Sequence, residues 1–293
     1  MNTHRTLIAL SLLGAFALGS QAAEKTTAPA TPQQTAAASP APTQVPTATE
    51  TGFQYQFITD DTCVLTKCPK DREGAVEIPT LITIGGKKCR VTTIGSEAFR
   101  YCDRITAVNI HEGITTISEG AFAHCSRLES VSIPESVVSI EPSAFSDCSD
   151  LTSINIPKGV TTISNHVFWG CGFTSFTIPE SVTSMGSGVF TECKKLRTVT
   201  LPSGLTSIGK HTFSECEALT DISIPEGVTT IGEGAFMNCP RLYTIAIPES
   251  CRTVGPSAFF GCDMLKGFIP YPAHLKASAR RWYKKPKSEA YIP

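Results

Sequence analysis

One spacing constrains the fold of this chain more than any other feature. A phenylalanine is followed three residues later by a cysteine, and this pair recurs eight times at steps of 23 residues, with one step of 22. The cysteines of the pairs are Cys102, Cys125, Cys148, Cys171, Cys193, Cys216, Cys239 and Cys262. Such a period indicates a solenoid in which each unit is one coil and buries its apolar face only against its neighbours.

The apolar pattern within one unit predicts two short strands and a buried turn. In the second copy, Leu128 and Val131 point inward from a strand that ends at Pro134, because proline has no N–H for a strand ladder. A second extended piece follows, and Phe145 enters the core from a tight turn. The sequence therefore predicts a β-rich solenoid whose coils are stacked about 4.8 Å apart.

The unit, written CxxLxxIxIPxxVTxIGxxAF, resembles the BspA-like, treponemal-type leucine-rich repeat family of bacterial surface and secreted proteins. The resemblance covers Val91 to Pro270 and implies a right-handed superhelix of about eight 23-residue coils. It also implies an N-terminal strand cap and a C-terminal helical cap, in which Pro272 begins the helix and Trp282 covers the last coil. Members are implicated in adhesion to host proteins and in cell–cell contact, so the resemblance implies that class of role, and it gives no ligand and no catalytic residues.

The order of segments predicts an exported protein. Arg5, an apolar stretch over Leu7 to Gly19 and small residues up to Ala22 have the form of a cleaved signal peptide. The predicted segments are a signal peptide at 1–22, a disordered Ala/Thr/Pro-rich tether at 23–51, an N-terminal β cap at 52–90, leucine-rich repeats at 91–270 and a C-terminal cap at 271–293. We therefore expect a periplasmic, cell-surface or extracellular location.

Composition excludes several classes of function. Charged residues are 17% of the chain and the formal net charge is -1, which argues against nucleic-acid binding through bulk charge. No apolar run approaches the ~20 residues of a transmembrane helix. We expect a monomer without a cofactor. The basic tail, which includes Arg280 and Arg281, is interpreted either as a solvated cap or as an attachment site for polyanions.

The cysteine column admits three interpretations. The first is a ladder of buried free thiols, since cysteine is small, often buried and a weak hydrogen-bond donor. The second is disulfides between neighbouring coils in an oxidising compartment, although parallel inward side chains fit that geometry poorly. The third is a metal site, which a single column of thiols does not surround.

Four cysteines lie outside the column. Cys251 takes a core position of its coil. Cys63, Cys68 and Cys89 fall in the predicted N-terminal cap, where one disulfide among them is plausible in an exported protein. The sequence does not choose the pair.

Two surfaces are candidates for binding, and no catalytic or metal-binding motif is found in the sequence. The residue after each core phenylalanine is large and apolar at Trp169, Met237 and Phe260, which suggests contact anchors along one edge. The outward strand positions, among them Thr177 and Thr200, are small and mostly hydroxylic. We expect a protein partner to prefer the edge and a glycan to prefer the strand face.

The function predicted from the sequence is that of a non-enzymatic recognition or adhesion module. A protein on the host or on a neighbouring cell is the expected partner. One alternative is a purely structural envelope protein without a specific ligand, and another is glycan binding on the hydroxyl-rich strand face.

Overall fold

The computed structural model describes residues 48–265 and 269–285. The predicted signal peptide, most of the predicted tether and the last residues of the predicted C-terminal cap lie outside the described residues. The final residues of the predicted tether form a short helix, α1 (Ala48–Thr51), and the chain then turns at Gly52, whose φ is +70°.

Five strands make up the N-terminal cap and join it to the first coil. They are β1 (Gln54–Phe57), β2 (Thr62–Lys67), β3 (Gly74–Ile78), β4 (Leu81–Ile84) and β5 (Lys87–Ile94). Strand β1 pairs with β2 and β4 pairs with β5, both antiparallel, as hairpins require. Strand β2 then lies parallel to β5, so the cap already follows the parallel stacking of the coils.

Each coil contributes two short strands, and the pairing between equivalent strands of neighbouring coils is parallel. The first strands of the coils are β6 (Ile105–Ile110), β8 (Ser130–Ser132), β10 (Ser153–Ile154), β12 (Ser175–Thr177), β14 (Thr198–Thr200), β16 (Asp221–Ile222) and β18 (Thr244–Ile245). The second strands are β7 (Thr116–Ile117), β9 (Ser139–Ile140), β11 (Thr162–Ile163), β13 (Ser184–Met185), β15 (Ser207–Ile208), β17 (Thr230–Ile231) and β19 (Thr253–Val254). The predicted β-rich repeat solenoid is thereby confirmed.

The core is a column of fully buried phenylalanine rings. Successive rings stack with centroids 4.7 Å apart at Phe99 and Phe122 and 6.0 Å apart at Phe145 and Phe168. The backbone N–H of each core phenylalanine donates to a carbonyl of the next coil, as from Phe122 to Ala144 at 2.8 Å. The eight rings are separated by seven steps of the repeat, so the stack spans about seven turns, in agreement with the predicted solenoid of about eight coils.

The ladder of first strands stops at the one short repeat, between Cys171 and Cys193, since no pairing joins β10 to β12 among the described residues. In the same described part of the chain, the ladder of second strands is interrupted between β9 and β11 and between β13 and β15, whereas β11 pairs in parallel with β13 across the short repeat. The missing residue lies between Cys171 and Phe173, so Phe173 and Phe176 take positions that hold leucine and a branched aliphatic residue in other coils. Their rings, with centroids 4.8 Å apart, fill the core beside Phe168.

The C-terminal cap continues the hydrogen bonding of the coils. It contains two 3-10 turns, Ala273–Leu275 and Ala279–Arg281, instead of the single helix that the resemblance implies. Trp282 is fully buried, its ring contacts Phe259 edge-on at 6.2 Å, and its carbonyl accepts the N–H of Phe259 at 2.9 Å. The last coil therefore has the same type of hydrogen-bond partner as the coils within the stack.

Candidate functional site

The first strands of the coils form one continuous surface, which we call the strand face. Its outward residues are small, and Thr177 and Thr200 are exposed there. Two shallow grooves lie on it, of about 430 and 440 Å³. The N-terminal groove runs over β3, β6, β8 and β10, and the C-terminal groove runs over β16 and β18.

Polar side chains of the N-terminal groove are already hydrogen-bonded to other side chains or to the backbone. The Glu77 carboxylate accepts a hydrogen bond from the Asn109 amide at 2.8 Å and lies 2.7 Å from Nε2 of His111. The Asn155 side chain accepts from the N–H of Ile133 at 2.9 Å and donates to its carbonyl at 2.6 Å. These contacts fix the side chains, so a ligand here would meet a preorganised polar floor.

The C-terminal groove is lined by carboxylates, and an exposed tyrosine lies next to its lining in the chain. Asp221, Glu226 and Glu249 line it, which gives it a negative charge. Tyr243 precedes Thr244 of the lining, and 56% of its surface is exposed. Arg197, also exposed, holds the same position two coils earlier. Tyrosine and arginine are the side chains that dominate many protein interfaces.

The apolar edge predicted from the sequence is only partly accessible. Trp169, Met237 and Phe260 are each half-buried. The indole Nε1 of Trp169 is buried without a hydrogen-bond partner in the described part of the chain. A large part of each side chain therefore covers its own coil.

An exposed aromatic cluster beside this edge was not predicted. The Tyr101 and His124 rings stack at 4.6 Å, and the Arg100 and Lys70 side chains lie over the Tyr101 ring. His124 also contacts the Asp147 carboxylate at 3.1 Å. Tyr101, His124 and Asp147 occupy the same position in successive coils and have left-handed backbone conformations, with φ between 56° and 60°. Their spacing of 23 residues was the sequence feature from which this cluster could have been predicted.

The cysteine column is a ladder of free, buried thiols. From the second coil onward, each thiol donates to the carbonyl of the core phenylalanine in the preceding coil, as from Cys125 to Phe99 at 3.0 Å and from Cys148 to Phe122 at 3.2 Å. Burial raises the pKa of Cys125 and of Cys193 to about 12. These side chains are therefore protonated near neutral pH and poorly nucleophilic.

The cysteines outside the ladder are buried and free as well. Cys251 occupies the core and its thiol lies 3.4 Å from the Thr253 carbonyl. Burial, and then a hydrogen bond to the Cys89 thiol, raise the pKa of Cys63 to about 12. Cys68 lies instead beside Cys102, so the structure divides the three cap cysteines between two places.

Other chemistry was searched for across the described ranges. Residues 48–265 and 269–285 contain no cluster of three or more side chains suited to holding a metal ion. Within the same ranges, no helix has the length and apolar character needed to cross a bilayer.

Comparison with known proteins assigns the repeats. Residues 81–196 and 161–277 match the BspA type leucine rich repeat region. A leucine-rich repeat protein from Bacteroides ovatus is 33% identical, with a TM-score of 0.67 over 71% of this chain, and this chain spans 55% of that protein. The leucine rich repeat protein of T. pallidum is 26% identical, with a TM-score of 0.57 over 80% of this chain and 94% of its own. No curated protein matches the sequence.

Proposed function

We propose, on the premise that this chain belongs to the BspA-type leucine-rich repeat family, that it is an exported, non-catalytic recognition module whose strand face binds a protein partner. The signal-like residues 1–22 and the Pro-rich residues 23–51 support this location, because such segments export a domain and hold it away from the envelope. Adhesion to a host or neighbouring cell is the role that this arrangement would serve.

The observation that carries the proposal is the position of both grooves on the strand face. The C-terminal groove is lined by carboxylates, and the exposed Tyr243 directly precedes its lining residue Thr244, so this region suits a partner segment with basic residues and a complementary apolar contact. The strand face also offers Thr177 and Thr200, whose exposed hydroxyls are able to donate and accept hydrogen bonds. The edge at Trp169 is the second candidate surface, and its half-buried side chains give a partner less to contact.

Capture on immobilised protein, followed by affinity measurement with the captured partner, tests the assignment. We expect Tyr243→Ala and Thr200→Arg each to weaken binding by about tenfold or more, the ~1.4 kcal/mol scale. The matched control is Trp169→Ala, which should leave the affinity within about twofold. If Trp169→Ala abolishes binding and the two strand-face variants do not, the edge is the binding surface.

Glycan binding on the strand face is the second candidate function, because Thr177 and Thr200 belong to an exposed, mostly hydroxylic surface. A glycan array probed with the wild type and with Thr177→Arg separates the two functions. Glycan retention that Thr177→Arg removes would favour a sugar ligand. Retention of neither proteins nor glycans would favour a purely structural envelope protein.

A further inference from the structure

The first thiol of the ladder, Cys102, has different surroundings from the seven that follow. Those seven thiols donate to a phenylalanine carbonyl at 3.0 to 3.2 Å. The Cys102 sulfur lies 3.9 Å from the Pro69 carbonyl and 4.0 Å from the Cys68 carbonyl. Its nearest acceptors thus belong to the N-terminal cap and are more distant, so the hydrogen bond that holds the other thiols is weak here.

Cys68 meets Cys102 at the point where the cap joins the first coil. Its N–H donates to the Ala98 carbonyl at 2.7 Å, which fixes its backbone against that coil. Its sulfur lies 3.5 Å from the Pro69 carbonyl, the oxygen that Cys102 also approaches. Both side chains are fully buried. Two thiols therefore point at one backbone oxygen from neighbouring layers.

The two thiols also interact with each other. A hydrogen bond from the Cys68 thiol lowers the pKa of Cys102, and the same hydrogen bond raises the pKa of Cys68. Cys239 and Cys262 are similarly in contact, but each of them keeps its own phenylalanine carbonyl at 3.0 Å. Cys63 and Cys89 form another close thiol pair without a phenylalanine carbonyl, but both belong to the predicted cap. Among the described residues, Cys68 and Cys102 are the close pair of this kind that joins the cap to the first coil.

We propose that Cys68 and Cys102 form a disulfide when the chain folds in an oxidising compartment, and that this bond fastens the N-terminal cap to the first coil. The Cys102 thiolate attacks a disulfide donor of the glutathione or protein-disulfide class, forming a mixed disulfide and releasing one donor thiol. Cys68 then loses its proton and attacks the Cys102 sulfur, which releases the second donor thiol. Two protein thiols are oxidised and one donor disulfide is reduced.

The exchange precedes the final closure of the cap, because neither sulfur is accessible afterwards. The bond closes a loop of 35 residues, counted from Cys68 to Cys102. That loop contains β3, β4 and β5. The disulfide therefore reduces the conformational entropy of the unfolded chain and keeps the cap attached to the first coil when the protein is partly unfolded.

Oxidative refolding of the full chain in a mixture of oxidised and reduced glutathione tests the proposal. Free thiols are blocked with N-ethylmaleimide in guanidinium chloride, and the unreduced digest is mapped by mass spectrometry. We expect a peptide that links Cys68 to Cys102, with Cys125 and the later ladder thiols alkylated. Complete alkylation of Cys68 and Cys102, or a link from Cys68 to Cys63 or Cys89, would overturn the proposal.

Thermal unfolding provides a second measurement. A reductant should lower the melting temperature of the refolded wild type by about 5–10 °C and leave that of Cys68→Ala unchanged. The matched control is Cys125→Ala, a ladder variant that should keep the reductant-dependent shift. A wild type whose melting temperature does not respond to reductant would contradict a fastening role, whether or not the variants fold.

Discussion

The coils before and after the short repeat differ at the corner of the coil, the residue that directly follows the second strand. In the earlier half this residue has a side chain, at Ser118, Glu141 and Ser164, except for Gly95 beside the cap. The later half carries a glycine at every copy, namely Gly186, Gly209, Gly232 and Gly255. One period thus accommodates two types of corner.

The contacts show what the difference does. In the earlier half, side chains bridge the layers, as when the Ser164 hydroxyl donates to the Ile140 carbonyl at 2.9 Å. In the later half, backbones meet directly: a Cβ on Gly209 would overlap the Gly186 carbonyl, and one on Gly232 would lie 2.6 Å from the Lys210 nitrogen. The later half therefore requires glycine, whereas the earlier half accepts side chains of different sizes.

Alkaline pH tests the feature that the two halves share, the thiol ladder, and should have the largest effect. The pKa of Cys125 and of Cys193 is about 12 in the folded protein, above the ~8.5 of an unfolded cysteine. Their contribution to stability is therefore complete below pH ~8.5 and falls as the pH rises towards 12. Between pH 8 and pH 10 these two thiols alone should cost about 4 kcal/mol of unfolding free energy.

Urea unfolding at pH 7, 8, 9 and 10 measures this loss. The double variant Cys125→Ala/Cys193→Ala is the control and should lose less stability over the same pH range. Unchanged stability of the wild type up to pH 10, or rapid labelling of these thiols in native buffer, would contradict the description of the ladder as a column of protonated, inaccessible thiols.

Phe173→Ala should decouple the two halves. The phenylalanine fills space at the short repeat, where the ladder of first strands is interrupted, so its removal should cost about 3–5 kcal/mol. We expect urea unfolding, followed by Trp169 and Trp282 fluorescence and by circular dichroism, to lose its single transition. Leu128→Ala, at the equivalent position of a full-length repeat, is the matched control and should keep one transition. Coincident curves for both variants would mean that the interruption does not weaken coupling.

The two corner types can be compared by one substitution in each half. Gly209→Ala should cost about 1–3 kcal/mol, because its Cβ meets the Gly186 carbonyl. Ser118→Ala, at the same position of an earlier coil, should change the stability by no more than ~0.5 kcal/mol. Calorimetric melting of both variants measures the difference. Equal costs would remove the distinction between the halves.

The smallest effect is expected at the left-handed turns. Glu192 has a φ of 60°, whereas Gly170 holds the same position one coil earlier. Glu192→Gly should relieve backbone strain and raise the stability by about 0.5 kcal/mol, since part of the gain is offset by the greater entropy of the unfolded chain. Gly170→Ala is the opposite change and should lower the melting temperature. A fall for Glu192→Gly would show that its side chain contributes more than the strain costs.

The sequence was sufficient for the architecture because the period is also the spatial repeat. The spacing of Phe122 and Phe145 predicts a stacked column, and the repeated unit predicts the family; both are confirmed. The interruption at Phe173 was not predicted, because a one-residue deletion can be absorbed within a turn without affecting the ladders. The 3-10 turns around Trp282 also escaped prediction, since nothing in a non-repeating segment fixes its hydrogen-bonding period.

The candidate site was less accessible to sequence reasoning. A column of large residues containing Trp169 gives no information on how far each side chain folds back over its coil. The contact between Cys68 and Cys102 depends on the register between the cap and the first coil, and the cap lies outside the repeat. Exposure at Tyr243, just before β18, likewise depends on the packing of neighbouring coils, which the repeat pattern does not specify.

Each core phenylalanine donates the same type of hydrogen bond to the next coil, so one coil can replace another as the neighbour of a given coil or of the cap. Phe236 donates to Ala258 at 2.8 Å in the same way as Phe259 donates to Trp282 of the cap at 2.9 Å. A duplication or loss of one whole unit in the gene would therefore leave both ends with acceptable neighbours. Such a chain can change the length of its strand face in discrete steps, so lineages can vary the size of this surface without redesigning either end.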